Sequence, residues 1–119
     1  MNTERPQPPA PHVRRARERL EHGPEALHLR AVEEALCDPT RLRIVQALGD
    51  EELTVGALAG VIGRKLPATS QHLRVLRELG VVTRRRRGNT VYYRLAEGPA
   101  AATVRAVLRT VTELAERSA

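Results

Sequence analysis

The stretch TVGALAGVIGRKLPATSQHLRVLRELGVVTRRRRGNTVYYRL, residues 54–95, decides the fold. Its first half places apolar residues at helical spacing. Val55, Leu58, Ala59 and Ile62 share one face, Thr54 is suited to cap that helix, and Gly63 ends it. A short connection, Arg64-Lys65-Leu66, leads to Pro67, a residue that suits a first helical turn. The helix from Pro67 runs to Leu79 and stops at Gly80. Two short helices joined by so brief a turn make a helix-turn-helix. The apolar period then changes from 3.6 to 2. Val81–Arg87 and Thr90–Leu95 read as strands, with Gly88-Asn89 as the hairpin turn between them. A helix-turn-helix followed by a basic hairpin is a winged arrangement.

Upstream, Asp38-Pro39-Thr40-Arg41 is a helix start, with Asp38 as N-cap and Pro39 in the first turn. Leu42, Ile44, Val45 and Leu48 face inward from this helix, and Gly49 ends it. Three acids follow, Asp50, Glu51 and Glu52, and read as a solvated loop. Residues 25–37 form a helix whose apolar surface is broad enough to be buried on more than one side. Gly23-Pro24 separates it from a helical segment at 13–21, where Val13, Ala16 and Leu20 share a side. Residues 1–11, with four prolines and no periodicity, read as a disordered or polyproline arm. Downstream of Gly98-Pro99, a last helix over 99–117 carries Val104, Val107, Leu108, Val111, Leu114 and Ala115. The expected fold is mainly α with a small β-hairpin wing: an arm at 1–11 and one winged helix-turn-helix domain at 12–119.

With 119 residues, the chain has room for one small domain. Tyr occurs twice and Phe and Trp not at all, so the core is built from aliphatic side chains. No apolar run is long enough for a membrane span, no secretion signal is recognisable, and the lone Cys37 cannot form an internal disulfide. The sequence therefore reads as cytoplasmic and soluble. Net charge is +6, and its distribution is uneven. Residues 64–94 hold nine basic residues against Glu78 alone, whereas 1–37 and 95–119 are balanced and 38–63 are slightly acidic. A basic excess confined to one stretch is the footprint of a polyanion-binding surface.

On the helix from Pro67, a wheel places Thr69, Leu73 and Leu76 on the buried side. Pro67, Ser70, Gln71, Arg74 and Glu78 fall opposite. Hydroxyl, amide and guanidinium groups along one exposed stripe suit base-edge readout, Gln to adenine and Arg to guanine. A helix has the width of the major groove, and its N-terminus favours phosphate. Arg84, Arg85, Arg86 and Arg87 alternate across the ribbon, so at least two share a face and suit phosphate or minor-groove contact. His72 flanks the buried side and reads as a packing or phosphate-contacting residue, not a metal ligand. No His/Asp/Glu cluster, phosphate-cradling Gly loop or nucleophile–base pair is recognisable, which argues against an enzyme. The competing reading is a winged-helix interaction module whose basic face docks an acidic protein.

The blocks LCDPTRLRIVQAL at 36–48, ELTVGALA at 52–59, TSQHLRVLRELGVV at 69–82 and GNTVYYRL at 88–95 resemble the ArsR/SmtB family of winged-helix bacterial repressors. They cover about half of the chain, in order and at the family's spacing. The resemblance implies a homodimer that binds double-stranded operator DNA and represses until a signal releases it. It also implies that the helices at 13–37 and 99–117 are dimerisation helices. Thr54 and Gly56 stand where soft-metal sensors of the family carry two thiolates. Residues 96–119 contain no Asp and no His, so the terminal-helix site of the zinc, nickel and cobalt sensors is not recognisable. The resemblance therefore points to no metal and no cofactor, and it leaves the inducer unidentified. Cys37 reads as a small buried residue, the usual state of a free Cys. The rival reading makes it a thiol sensor or a metal ligand joined by His28 or an arm histidine.

Overall fold

A computed structural model of the chain describes residues 6–21 and 26–118. Six helices and one hairpin follow in the order α1 (Pro11–Glu21), α2 (Ala26–Leu36), α3 (Pro39–Leu48), α4 (Val55–Ile62), α5 (Leu66–Glu78), β1 (Val82–Arg87), β2 (Thr90–Leu95) and α6 (Pro99–Ser118). The arm expected at 1–11 lies partly outside the described residues. Of the described part, residues 6–10 are neither helix nor strand, and Pro11 opens α1.

Local chemistry sets the helix boundaries. Asp38 is extended (φ −93°, ψ 123°), and its Oδ2 accepts a 2.8 Å hydrogen bond from the Arg41 N–H, one of the donors left without partners at the start of α3. Thr54 does the same for α4, its Oγ1 accepting from the Ala57 N–H at 3.1 Å. Helix α5 ends in a Schellman arrangement. The Val81 N–H donates to the Leu76 carbonyl and the Gly80 N–H to the Arg77 carbonyl, both at 3.0 Å. This needs a left-handed residue, and Gly80 supplies it with φ 77°. In the hairpin turn Gly88 has φ 62° while Asn89 keeps a negative φ, the pattern of a type II′ turn. It sets the register Arg87↔Thr90, Arg85↔Tyr92 and Val82↔Leu95.

One core joins these elements. Ile44, Val45 and Leu48 of α3, Leu58 and Ile62 of α4, and Leu73 and Leu76 of α5 are buried together. Val81, Val82, Tyr93 and Leu95 seat the hairpin on this core. Ala31 and Ala35 of α2 meet Ala100 and Val104 of α6 beside it, where small side chains allow close approach. Two hydrogen bonds pin the outer helices. Arg41 Nε donates to the Glu34 carbonyl at 2.7 Å, and Arg105 Nη1 to the Ala96 carbonyl at 2.6 Å.

The sequence reading needs three corrections. First, Cys37 is exposed, not buried, because it lies just past the last turn of α2 beside the Asp38 cap. Of the histidines that could join it, His12 is exposed on α1, whereas His22 and the His28 side chain lie outside the described residues. Second, Leu53 exchanges hydrogen bonds with Tyr93, 2.9 Å from its N–H and 2.7 Å to its carbonyl, an isolated antiparallel bridge to β2. Third, Glu52, at the end of the acidic loop, is half-buried against guanidinium groups and not wholly in solvent.

The ends of the chain leave apolar surface uncovered. No residue of α1 is buried, and Leu20 is 84% exposed. On α6, Val104 is buried and Leu108 half-buried, whereas Val107, Val111 and Leu114 lie on an exposed stripe. The molecule is accordingly long, 76 × 37 × 24 Å. Its radius of gyration of 20.1 Å compares with about 13.5 Å for a compact chain of this length.

Candidate nucleic-acid interface

Helix α5 carries the first half of the site. Leu73, Leu76 and Thr69 turn inward, and the Thr69 hydroxyl is satisfied by donating to the Lys65 carbonyl at 2.9 Å. The fixed inner face leaves Pro67, Ser70, Gln71 and Arg74 exposed together on the outer one, as the wheel placed them. No side chain caps the start of α5, so the positive end of the helix is open beside Arg64 and Lys65. Arg74 Nε lies 3.3 Å from Glu78 Oε1, an i,i+4 pair in which both side chains stay largely in water. Such a pair is worth only about 0.3–0.5 kcal/mol, so it leaves Arg74 available to a stronger acceptor.

His72 is on the flank of α5. Its Nδ1 is buried without a hydrogen-bond partner, 3.8 Å from Asp38 Oδ2. The Arg41 N–H holds the Asp38 carboxyl below the usual carboxylate range; partial burial opposes this, and the Arg41 and His72 charges reinforce it. The contact packs α5 against the start of α3. Among the described residues, no group of three or more His, Cys, Asp or Glu side chains converges to hold a metal.

The hairpin carries the second half, and the pleat divides its four arginines. Arg84 and Arg86 face the same way as Tyr93 and Val91, their cross-strand partners. They are exposed, with no carboxylate within 4 Å among the described residues. Arg85 and Arg87 face the other way and are taken by Glu52. Arg85 Nη2 donates to both of its oxygens at 3.0 and 3.2 Å, and Arg87 Nη2 donates to Oε2 at 2.9 Å. Arg94 Nε approaches the same carboxylate at 3.9 Å. Arg87 also lies over the Tyr92 ring, 4.3 Å from its centroid. The sequence reading missed Glu52 because 33 residues separate it from Arg85. The available signal was one acid of the loop standing directly before Leu53, the residue that bridges to β2.

Known proteins match this arrangement. A helix-turn-helix domain family matches residues 36–85. The biofilm growth-associated repressor of Agrobacterium fabrum is 39% identical over 87 residues, which cover 69% of this chain and 74% of that protein. The solution structure of a homodimeric winged helix-turn-helix DNA-binding domain from Mycobacterium bovis, a possible ArsR-family transcriptional regulator, superposes with a TM-score of 0.64. It is 32% identical, and the match covers 77% of this chain and 84% of that one.

The chain belongs to the ArsR/SmtB family.

The fold is therefore the winged helix-turn-helix of that family's transcriptional regulators, with α4 and α5 as the helix-turn-helix and β1–β2 as the wing. Not every relative is matched over its length. The regulator KmtR of Mycobacterium tuberculosis is 43% identical over 60 residues, and the match spans 46% of that protein. No helix among the described residues of this ArsR/SmtB-family chain is long and apolar enough to cross a membrane.

Proposed function

We propose that this ArsR/SmtB-family chain is a homodimeric, sequence-specific DNA-binding repressor that works in the cytoplasm by binding, not by catalysis. One observation carries the reading. The polar stripe Pro67, Ser70, Gln71 and Arg74 on α5 is exposed beside an uncapped helix N-terminus and is followed by a wing of four exposed arginines. Gln71 and Arg74 read base edges in the major groove, Ser70 assists, and Pro67 brings the start of α5 close to the backbone. On the wing, Arg84 and Arg86 supply phosphate contact, while Arg85 and Arg87 stand on the other face beside the Glu52 carboxylate. The exposed stripe Val107, Val111 and Leu114 of α6, extended by α1 and α2, pairs two copies. Two α5 helices then enter successive major grooves about 34 Å apart on an imperfect palindrome. A signal that favours a dimer geometry with another spacing releases the DNA.

The test is fluorescence anisotropy of the full chain on its own upstream promoter fragment against a scrambled duplex, at about 0.15 M salt, where weak surface attraction is screened beyond about 8 Å. A preference of about a hundredfold or more, short of the roughly thousandfold and upward of a fully matched operator, supports a self-regulating repressor. Equal and salt-labile binding to both duplexes overturns self-regulation, and absence of DNA binding overturns the reading entirely.

A further inference from the structure

Resting on the DNA-binding reading above, we propose that Glu52 sets how many wing cations DNA meets: it withholds Arg85 and Arg87 from the phosphate backbone and leaves Arg84 and Arg86 as the pair that meets DNA. Non-specific affinity comes almost wholly from the number of phosphates that cations neutralise, and base readout gains nothing from extra cations. A wing with four free arginines adds affinity for every sequence alike. Here one carboxylate holds two of them.

The latch is built, not incidental. Glu52 is anchored from behind, since the next residue, Leu53, exchanges backbone hydrogen bonds with Tyr93 of β2 at 2.9 and 2.7 Å. The carboxylate therefore stands at a set height beside the ribbon. It reaches the face that carries Arg85, Arg87 and Arg94, which the register places opposite the face of Arg84 and Arg86. Both oxygens are used, three hydrogen bonds of 2.9–3.2 Å converge on them, and the Glu52 side chain is 24% exposed, against 58% and 54% for Arg85 and Arg87. Charge-assisted bonds of this kind are about twice as strong as neutral ones, and a phosphate approaching from this side also meets the Glu52 charge. Tyr92 holds the Arg87 guanidinium on the same side.

The experiment measures binding of the full chain and its variants to a random-sequence duplex of about 30 base pairs across salt concentration, where the log–log slope changes by about 0.9 per phosphate contact. Glu52→Gln keeps shape and removes the charge; circular dichroism checks its fold. It is expected to bind random DNA more tightly, with a slope steeper by up to about 1.8 per engaged wing, so that its advantage over the native chain shrinks about tenfold between about 50 and 200 mM salt. Arg85→Ala and Arg87→Ala in the native background should leave the slope unchanged, whereas each should flatten it by about 0.9 when Glu52→Gln is present. Glu52→Asp should retain the native slope. A Glu52→Gln slope equal to or flatter than the native one overturns the withholding role. So does a slope that flattens in the native background with Arg85→Ala. A native chain with no salt-dependent binding overturns the DNA-binding reading instead, and so separates the two failures.

Discussion

Asp38 shows how much one side chain can carry. Its carboxylate caps α3 through the Arg41 N–H and stands 3.8 Å from His72 on the recognition helix. Asp38→Ala should destabilise the chain by about 1 kcal/mol, the usual loss for an N-cap. Because the folded carboxyl titrates below its ordinary value of 3.8, the charged form is the stabilising one. Its contribution is full above the unfolded value and is lost as pH falls through the lower folded one. The gap in urea midpoint between the native chain and Asp38→Ala should therefore narrow as pH falls below about 4. A gap that does not narrow there would contradict the cap assignment. Residues of the interface separate by role. Gln71→Ala should relax preference at one base position, at a cost of about 1–3 kcal/mol on the preferred site. Arg86→Ala should weaken all sequences nearly alike and flatten the salt slope by about 0.9. If both variants lose specific and random DNA equally, these roles are wrongly divided.

Elements are positioned by how they end as much as by what they bury. Helix α5 stops where Gly80 turns left-handed, and the chain passes directly into Val81 and Val82, which seat β1 on the core. The angle between recognition helix and wing thus depends on one residue. Nothing lies within 4 Å of a Cβ added at Gly80, so Gly80→Ala isolates backbone strain from crowding. It should cost about 1–2 kcal/mol in denaturant unfolding, and an unchanged midpoint would show that the turn tolerates a side chain. The wing is likewise more than a two-stranded ribbon, which alone is marginal in water. The Leu53–Tyr93 bridge and the Glu52 latch fasten its base and one face to the segment before α4.

As a single copy the molecule leaves apolar side chains of α1 and α6 exposed. Beyond Leu108 every described residue of α6 is exposed, including Val111 at 58% and Leu114 at 54%, and no residue of α1 is buried. Burying side chains of this size is worth about 1.5–3 kcal/mol each. Val111→Glu touches no part of the protomer core and should leave helix content unchanged. It should convert a dimer to a monomer in sedimentation and weaken DNA binding by about a hundredfold, as expected when two linked half-site contacts become one. A Val111→Glu dimer that persists would move the interface elsewhere.

Much of this was written along the chain. Caps, prolines and glycines act within a few residues of themselves, so Asp38, Thr54, Gly49, Gly63, Gly80 and Gly88 marked element ends that the structure places within about two residues of the expected positions. Helical periodicity separated Thr69, Leu73 and Leu76 from Ser70, Gln71 and Arg74 for the same reason: a helix face depends only on local spacing. The missing features are all long-range. Alternation showed that the wing arginines divide between two faces but not which face meets a carboxylate. That depended on folding, which carries Glu52 across 33 residues to Arg85. Burial of Cys37, expected from its residue type, failed because exposure is set by what packs over a position, and among the described residues Cys37 is left exposed just past the end of α2. Local order along the chain was enough to set the elements, their caps and the composition of the exposed polar stripe on α5, since those follow from short-range sterics and hydrogen bonding. Which charges remain unpaired was settled by folding, because pairing between charges depends on distance in space.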